Sequence, residues 1–128
     1  MTETSQRAVA IVDDDDAVRD SLSFLLEVIG HPVETFASVA EFLTTDLRHF
    51  ASLILDQHMP GMSGLDLAER LRIGGSTIPI LLVTGSLSPS IAARAAKLGV
   101  NRVLEKPACE GDVIDFITAT RGQGGDDL

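Results

Sequence analysis

A chain of 128 residues, 45% hydrophobic with a mean hydropathy of +0.22, is long enough for one domain with a full core and too apolar for an acidic disordered segment. Its net charge of −9, with Lys97 and Lys106 as its only lysines and no basic cluster, excludes a nucleic-acid grip driven by charge. Cys109 stands alone and reads as an ordinary thiol, no apolar run is long enough to span a bilayer, and no signal peptide opens the chain, so a cytoplasmic location is expected.

The elements follow in order between two ends that read as loose, residues 1–7 and 122–128, leaving a domain at 8–121. Ala8 to Val12 reads as a short buried strand, with four aspartates, Asp13 to Asp16, behind it. Val18, Leu22, Leu25, Leu26 and Ile29 then recur at helical spacing, with Asp15 and Asp16 as N-cap and first-turn acids and Gly30 as the stop. Pro32 to Phe36 is a weaker second strand. Ser38 and Glu41 have capping-box spacing and start a second helix through about Leu47.

The run Ala51 to Leu55 is a third strand and ends at Asp56, before the loop Gln57-His58-Met59-Pro60-Gly61. Ser63 or Gly64 opens a third helix with Leu65, Ala68 and Leu71 on one face, broken at Gly74-Gly75. Pro79 to Val83 is a fourth strand, ending at Thr84-Gly85-Ser86, and a helix from Pro89 to Leu98 follows, stopped by Gly99. Asn101 to Leu104 is a fifth strand, ending at Glu105-Lys106-Pro107, and the last helix covers about Glu110 to Thr120. Five strand–helix repeats with continuously apolar strands predict an α/β fold, a parallel sheet covered on both faces by right-handed crossovers.

Such a fold brings every strand-ending loop to one edge, where ligands of open α/β sheets bind. The residues delivered there are Asp13 and Asp14, Asp56, Thr84 and Lys106. Two carboxylates about 4 Å apart repel by roughly 4 kcal/mol at an effective dielectric near 20, so three require a cation or strong donors. Lys106 supplies one positive charge, and oxygen-only ligands select a hard divalent ion such as Mg²⁺ for the rest. An ion, an ammonium and a hydroxyl around one carboxylate are the equipment for phosphoryl transfer to that carboxylate, because Asp can act as a nucleophile. His31 and His49 read as surface residues, and no His/Cys spacing suggests zinc.

The motifs Ile11-Val12-Asp13-Asp14, Leu55-Asp56-x-x-Met59-Pro60-x-Met62-x-Gly64, Val83-Thr84-Gly85 and Lys106-Pro107 make residues 7 to 121 resemble the receiver domain of bacterial two-component response regulators, most closely FixJ-type receivers. The resemblance implies a (βα)5 flavodoxin-like sandwich with strand order 2-1-3-4-5. It implies Asp56 as phospho-acceptor, with Thr84 and Lys106 each bonding a phosphoryl oxygen. Mg²⁺ would be held directly by Asp14 and Asp56, through water by Asp13, and by the backbone carbonyl of His58. It also implies a cis Lys106-Pro107 peptide, a histidine kinase or histidine phosphotransfer protein as donor, and a downstream protein or attached output domain as target. A phosphorylation-dependent dimer is among the outputs it allows.

Two positions depart from the family pattern: Val103 stands where a switch aromatic is expected, and Ala108 where Phe commonly follows Lys-Pro. Both thin the packing around the fifth strand. The His58 side chain reads as an exposed loop imidazole, at a position from which relatives tune dephosphorylation. On this reading the chain catalyses only its own phosphorylation and dephosphorylation and is not a conventional enzyme. Two alternatives stand beside it. One is an interaction module that works without phosphorylation, which Val103 leaves open. The other is a Mg²⁺-dependent phosphohydrolase with an Asp nucleophile, a family that wants a second acid where this chain has His58.

Overall fold

The computed structural model describes residues 7–124. Strands β1 (Ala8–Val12), β2 (Val33–Phe36), β3 (Phe50–Asp56), β4 (Ile80–Thr84) and β5 (Arg102–Glu105) form one parallel sheet in the order β2-β1-β3-β4-β5, as expected. Helices α1 (Asp16–Val28), α2 (Val39–Phe42), α3 (Gly64–Ile73), α4 (Pro89–Lys97) and α5 (Glu110–Gly124) alternate with the strands. The expected loose ends at residues 1–6 and 125–128 lie outside the described residues. The last helix continues past Thr120 to Gly124.

Alternation along the strands divides their apolar residues between two cores. Ala10, Val12, Leu53, Leu55, Ile80 and Leu82 pack with Leu65, Leu67 and Leu71 of α3 and Ala95 of α4. Val9, Ile11, Ile54, Leu81 and Val83 pack with Leu26 of α1 and Val113, Phe116 and Ile117 of α5. Each fully buried Leu or Ile contributes roughly 1.5–3 kcal/mol, far more than an exposed ion pair. These two cores therefore hold the strand ends, and the loops that leave them, in place.

The helix starts follow their sequence signals. Asp15 caps α1 by accepting from the backbone N–H groups of Ala17 and Val18. Ser63 and Asp66 form a reciprocal capping box at α3, and Ser88 caps α4 ahead of Pro89. At α2 the Ser38 hydroxyl accepts from Glu41 N–H, but the Glu41 carboxylate reaches Ala37 N–H instead of that of Ser38.

Two expectations fail for local reasons. The second helix stops at Phe42, not near Leu47, because Thr44 and Thr45 turn their hydroxyls onto the carbonyls of Glu41 and Phe42 at 2.7 and 2.6 Å. Their backbone N–H groups also bond three residues back, which tightens the last turn and ends it. Asp46 then caps a separate 3-10 turn at Leu47–His49. His31, expected at the surface, is buried. Gly30 takes a φ of 98° after α1, and His31 N–H donates to Leu26 O at 2.9 Å while Gly30 N–H donates to Glu27 O at 3.0 Å. This left-handed closure folds residue 31 back over the helix end. His49 is exposed, as expected.

Candidate functional site

The ends of β1, β3, β4 and β5 each deliver a polar group to the same edge. Asp13 follows β1 and is only 3% exposed, whereas Asp14 beside it is open to solvent. Asp13 Oδ1 accepts the Asp15 N–H at 2.9 Å, so the turn into α1 fixes its carboxylate. Arg19 reaches back from α1, donating from Nη1 to the Asp13 carbonyl at 2.6 Å and pairing with Asp16.

Asp56 is the last residue of β3, in register with Val83 of β4, and is also 3% exposed. The loop after it is tightly bonded. Gln57 is buried; its N–H donates to Val83 O, its carbonyl accepts from Gly64 N–H, and its side-chain Oε1 accepts from Leu65 N–H at 2.9 Å. Gly64 is required where α3 begins: a Cβ there would lie 2.5 Å from the Asp56 carbonyl oxygen and 2.8 Å from Leu82 Cδ1.

Lys106 arrives from β5, its N–H bonded to Thr84 O at 2.8 Å, and the Lys106-Pro107 peptide is cis. Its ammonium stands 3.2 Å from Asp56 Oδ1 and 3.4 Å from Asp13 Oδ2. Thr84 ends β4 fully buried, and its hydroxyl lies 3.2 Å from His58 Nε2. His58 is exposed, and its N–H donates to Asp56 Oδ1 at 3.4 Å. All six residues singled out from sequence thus meet at one end of the sheet.

The electrostatics follow from burial and charge. Burial is the main force lifting the Asp13 carboxyl above its ordinary range; the Asp15 N–H bond opposes it, the Asp56 charge adds to it, and Lys106 opposes it. For Lys106 burial is the largest single influence and works against the charge. The hydrogen bond to Asp56 and the charges of Asp13 and Asp56 together outweigh it, so the ammonium is held above the usual lysine range. Asp13, Asp14 and Asp56 can each place one carboxylate oxygen within 4.8 Å of the others. Three carboxylates facing one ammonium leave the cluster net negative, and the donor set is oxygen only, so these residues fit a hard divalent cation such as Mg²⁺.

The response regulator receiver domain model matches residues 9–118. The chain belongs to the response regulator receiver family. Transcriptional regulatory protein FixJ of Azorhizobium caulinodans is 38% identical over 116 residues, covering 90% of this chain and 55% of that protein. Response regulator protein TodT of Pseudomonas putida is 39% identical over 112 residues, covering 87% of this chain and 49% of TodT. Among solved structures, FixJ-N superposes with a TM-score of 0.81 at 34% identity, over 91% of this chain and 94% of that one. A CheY-like receiver domain protein of Methanospirillum hungatei superposes with a TM-score of 0.85 at 27% identity, over 95% and 99%. The receiver spans about half the length of the curated relatives it matches.

Within this receiver, sequence reasoning missed Gln57 and Arg19. Nothing in composition or spacing marks Gln57, which acts through backbone groups, and the i,i+3 spacing of Asp16 and Arg19 signals their ion pair but not the reach of Arg19 to the Asp13 carbonyl. Val103 is half-buried and packs against the core that holds α3 and α4. Ala108 lines an open, mainly apolar groove of about 420 Å³ with Ala17, Val18, Leu22 and Pro107, beside Lys106. Cys109 is exposed and free, and among the described residues no helix is long and apolar enough to cross a membrane.

Proposed function

We propose that Asp56 accepts a phosphoryl group and that this receiver passes the event on through altered protein contacts. The carrying observation is the placement of Lys106 Nζ between two nearly buried carboxylates, 3.2 Å from Asp56 and 3.4 Å from Asp13. An ammonium so placed stabilises charge that develops on a phosphoryl oxygen as an Asp56 oxygen attacks phosphorus. With a phosphohistidine donor, the bond from phosphorus to the imidazole nitrogen breaks as the bond to Asp56 forms, and the leaving imidazole takes up a proton. Lys106 and the Thr84 hydroxyl donate to the equatorial oxygens, and Asp13 keeps Lys106 oriented.

Asp14 and Asp56 would hold Mg²⁺ directly, with Asp13 acting through water and the His58 carbonyl completing the set. When bound, the ion neutralises phosphoryl oxygens that the carboxylates would otherwise repel. The donor is a histidine kinase or a histidine phosphotransfer protein. Because the chain spans about half of relatives that include a transcriptional regulatory protein, the target is either an output domain on a longer chain or a separate protein. The acidic surface gives no support to direct nucleic-acid contact by this domain. The full set of six polar groups at one edge favours the phospho-acceptor reading over an interaction module that ignores phosphate.

An acyl-phosphate donor with Mg²⁺ should label the protein, and Asp56→Asn should abolish the label. Equal labelling of the variant would show that the acceptor lies elsewhere.

A further inference from the structure

The geometry points to Arg19 as a positioning residue for Asp14: its guanidinium fixes the Asp13–Asp14 peptide, so that the exposed Asp14 carboxylate stays with those of Asp13 and Asp56, and Asp16 acts through it. This rests on the reading of the three carboxylates as a cation site.

Asp14 is the member of the cluster with least to hold it. It is exposed and makes no hydrogen bond of its own among the described residues. Its neighbours are tied instead. Asp13 N–H donates to Phe36 O at 3.1 Å, Asp13 Oδ1 accepts from Asp15 N–H at 2.9 Å, and Asp15 caps α1. The tie closest to Asp14 is on the Asp13 carbonyl, which accepts from Arg19 Nη1 at 2.6 Å. A peptide unit is planar and carries the Asp13 oxygen and the Asp14 Cα in one rigid piece. A donor on that oxygen therefore sets where the Asp14 side chain starts.

Arg19 stands where general electrostatics disfavour a cation. It lies near the start of α1, at the positive end of the helix dipole, and beside carboxylates that would attract a metal ion. Specific bonds hold it there: its side chain is 15% exposed, with Nη1 on the Asp13 carbonyl and Nη2 paired with Asp16. Asp16 is 86% exposed, so that pair adds little to stability. Its effect is to aim one arm of a planar fork, which orients the other arm onto the turn. A side chain set against the local charge rule and held by two directed bonds fits a positioning role.

The test is a Mg²⁺ titration followed at the Asp14 and Asp15 amides by NMR, in wild type, Arg19→Met and Asp16→Ala. Charge alone predicts that Arg19→Met, which deletes a cation beside the cluster, binds Mg²⁺ more tightly. Positioning predicts the opposite sign, a half-saturating concentration about five-fold higher, because the freed turn must be ordered on binding. Asp16→Ala should raise it as well, and by less in an Arg19→Met background. Without metal, the Asp15 N–H should exchange faster in both variants, by a larger factor than the Leu53 and Ile54 amides of β3. Tighter or unchanged Mg²⁺ binding in Arg19→Met, or exchange at Asp15 accelerated no more than in β3, would overturn the proposal. If Arg19→Met does not fold, Asp16→Ala decides by the same exchange comparison. A wild type that binds Mg²⁺ and loses it in Asp14→Ala, with Arg19→Met unimpaired, sinks the role of Arg19 alone. A wild type with no saturable response sinks the cation site and the role of Arg19 with it.

Discussion

At Asp13 burial works against the carboxylate charge while Lys106 and the Asp15 N–H support it. Its folded-state carboxyl is raised, chiefly by burial, so the folded state holds the proton to higher pH than the unfolded state does. Its stabilising contribution therefore falls as pH rises from the ordinary carboxylate value through the raised folded value, and stays low above that. Asp13→Asn keeps an oxygen for the Asp15 N–H and removes the charge. Without divalent ions it should melt higher than wild type at pH 7, and the difference should close near pH 4 and below, around the unfolded value of about 3.9. A variant that melts lower at pH 7 would show that the Lys106 pairing outweighs the burial cost. Gly64 poses the opposite problem, since space and not charge limits it. A methyl group there meets a backbone oxygen, which cannot step aside as a flexible side chain would. Gly64→Ala should cost about 1–3 kcal/mol in urea unfolding and shift the Asp56 signals, whereas a neutral result would mean the α3 start can retreat from β3.

Between elements, two arginines look alike in sequence and do different work. Arg72 of α3 donates from Nε to Leu98 O at 2.7 Å and from Nη2 to Gly99 O at 3.1 Å, closing the end of α4. Its Nη1 also bonds Ser76 O and Ile78 O, which secures the approach to β4. Burial alone depresses its pKa, so the carbonyls are what hold the guanidinium there. Arg94 of α4 pairs with Asp66 and Glu69 of α3 at 2.9 and 2.8 Å, with the acids half-exposed. Charged hydrogen bonds to carbonyls contribute about 1.5–3 kcal/mol each and are not additive, whereas exposed pairs contribute about 0–1 kcal/mol. Arg72→Ala should therefore lose about 2–4 kcal/mol in urea unfolding and Arg94→Ala less than about 1 kcal/mol, and the reverse order would refute the assignment. This contrast marks the limit of what was legible in the residues. The parallel sheet and the meeting of Asp13, Asp14, Asp56, Thr84 and Lys106 follow from apolar runs and the residues that end them, because topology alone carries those groups to one edge, whereas the strand order is implied only by the resemblance to receivers. The early stop of α2 and the burial of His31 depend on hydroxyls and a left-handed turn that periodicity does not encode. The reach of Arg72 to Leu98 joins residues whose separation only the packed helices can close.

At the scale of the whole molecule, the net charge of −9 and the carboxylate cluster act in the same direction. A cation that binds only the folded cluster stabilises the entire cooperative unit, by about 2.7 kcal/mol at a hundred-fold excess over its Kd. Melting temperature should rise with Mg²⁺ and level off in step with that relation. Asp14→Ala should remove most of the rise, because Asp14 is the exposed member of the cluster, and its loss leaves Asp13 and Asp56 already engaged by Lys106. The field of the remaining acids draws the ion in from a distance and is screened over about 10 Å at 0.1 M salt, whereas contacts inside the cluster are screened much less. Raising monovalent salt from 0.05 to about 0.5 M should thus weaken Mg²⁺ binding by several-fold without abolishing it. A Mg²⁺-dependent rise that survives Asp14→Ala would place the ion away from this cluster, and one that disappears at high salt would mean that the overall field, not the three carboxylates, holds it.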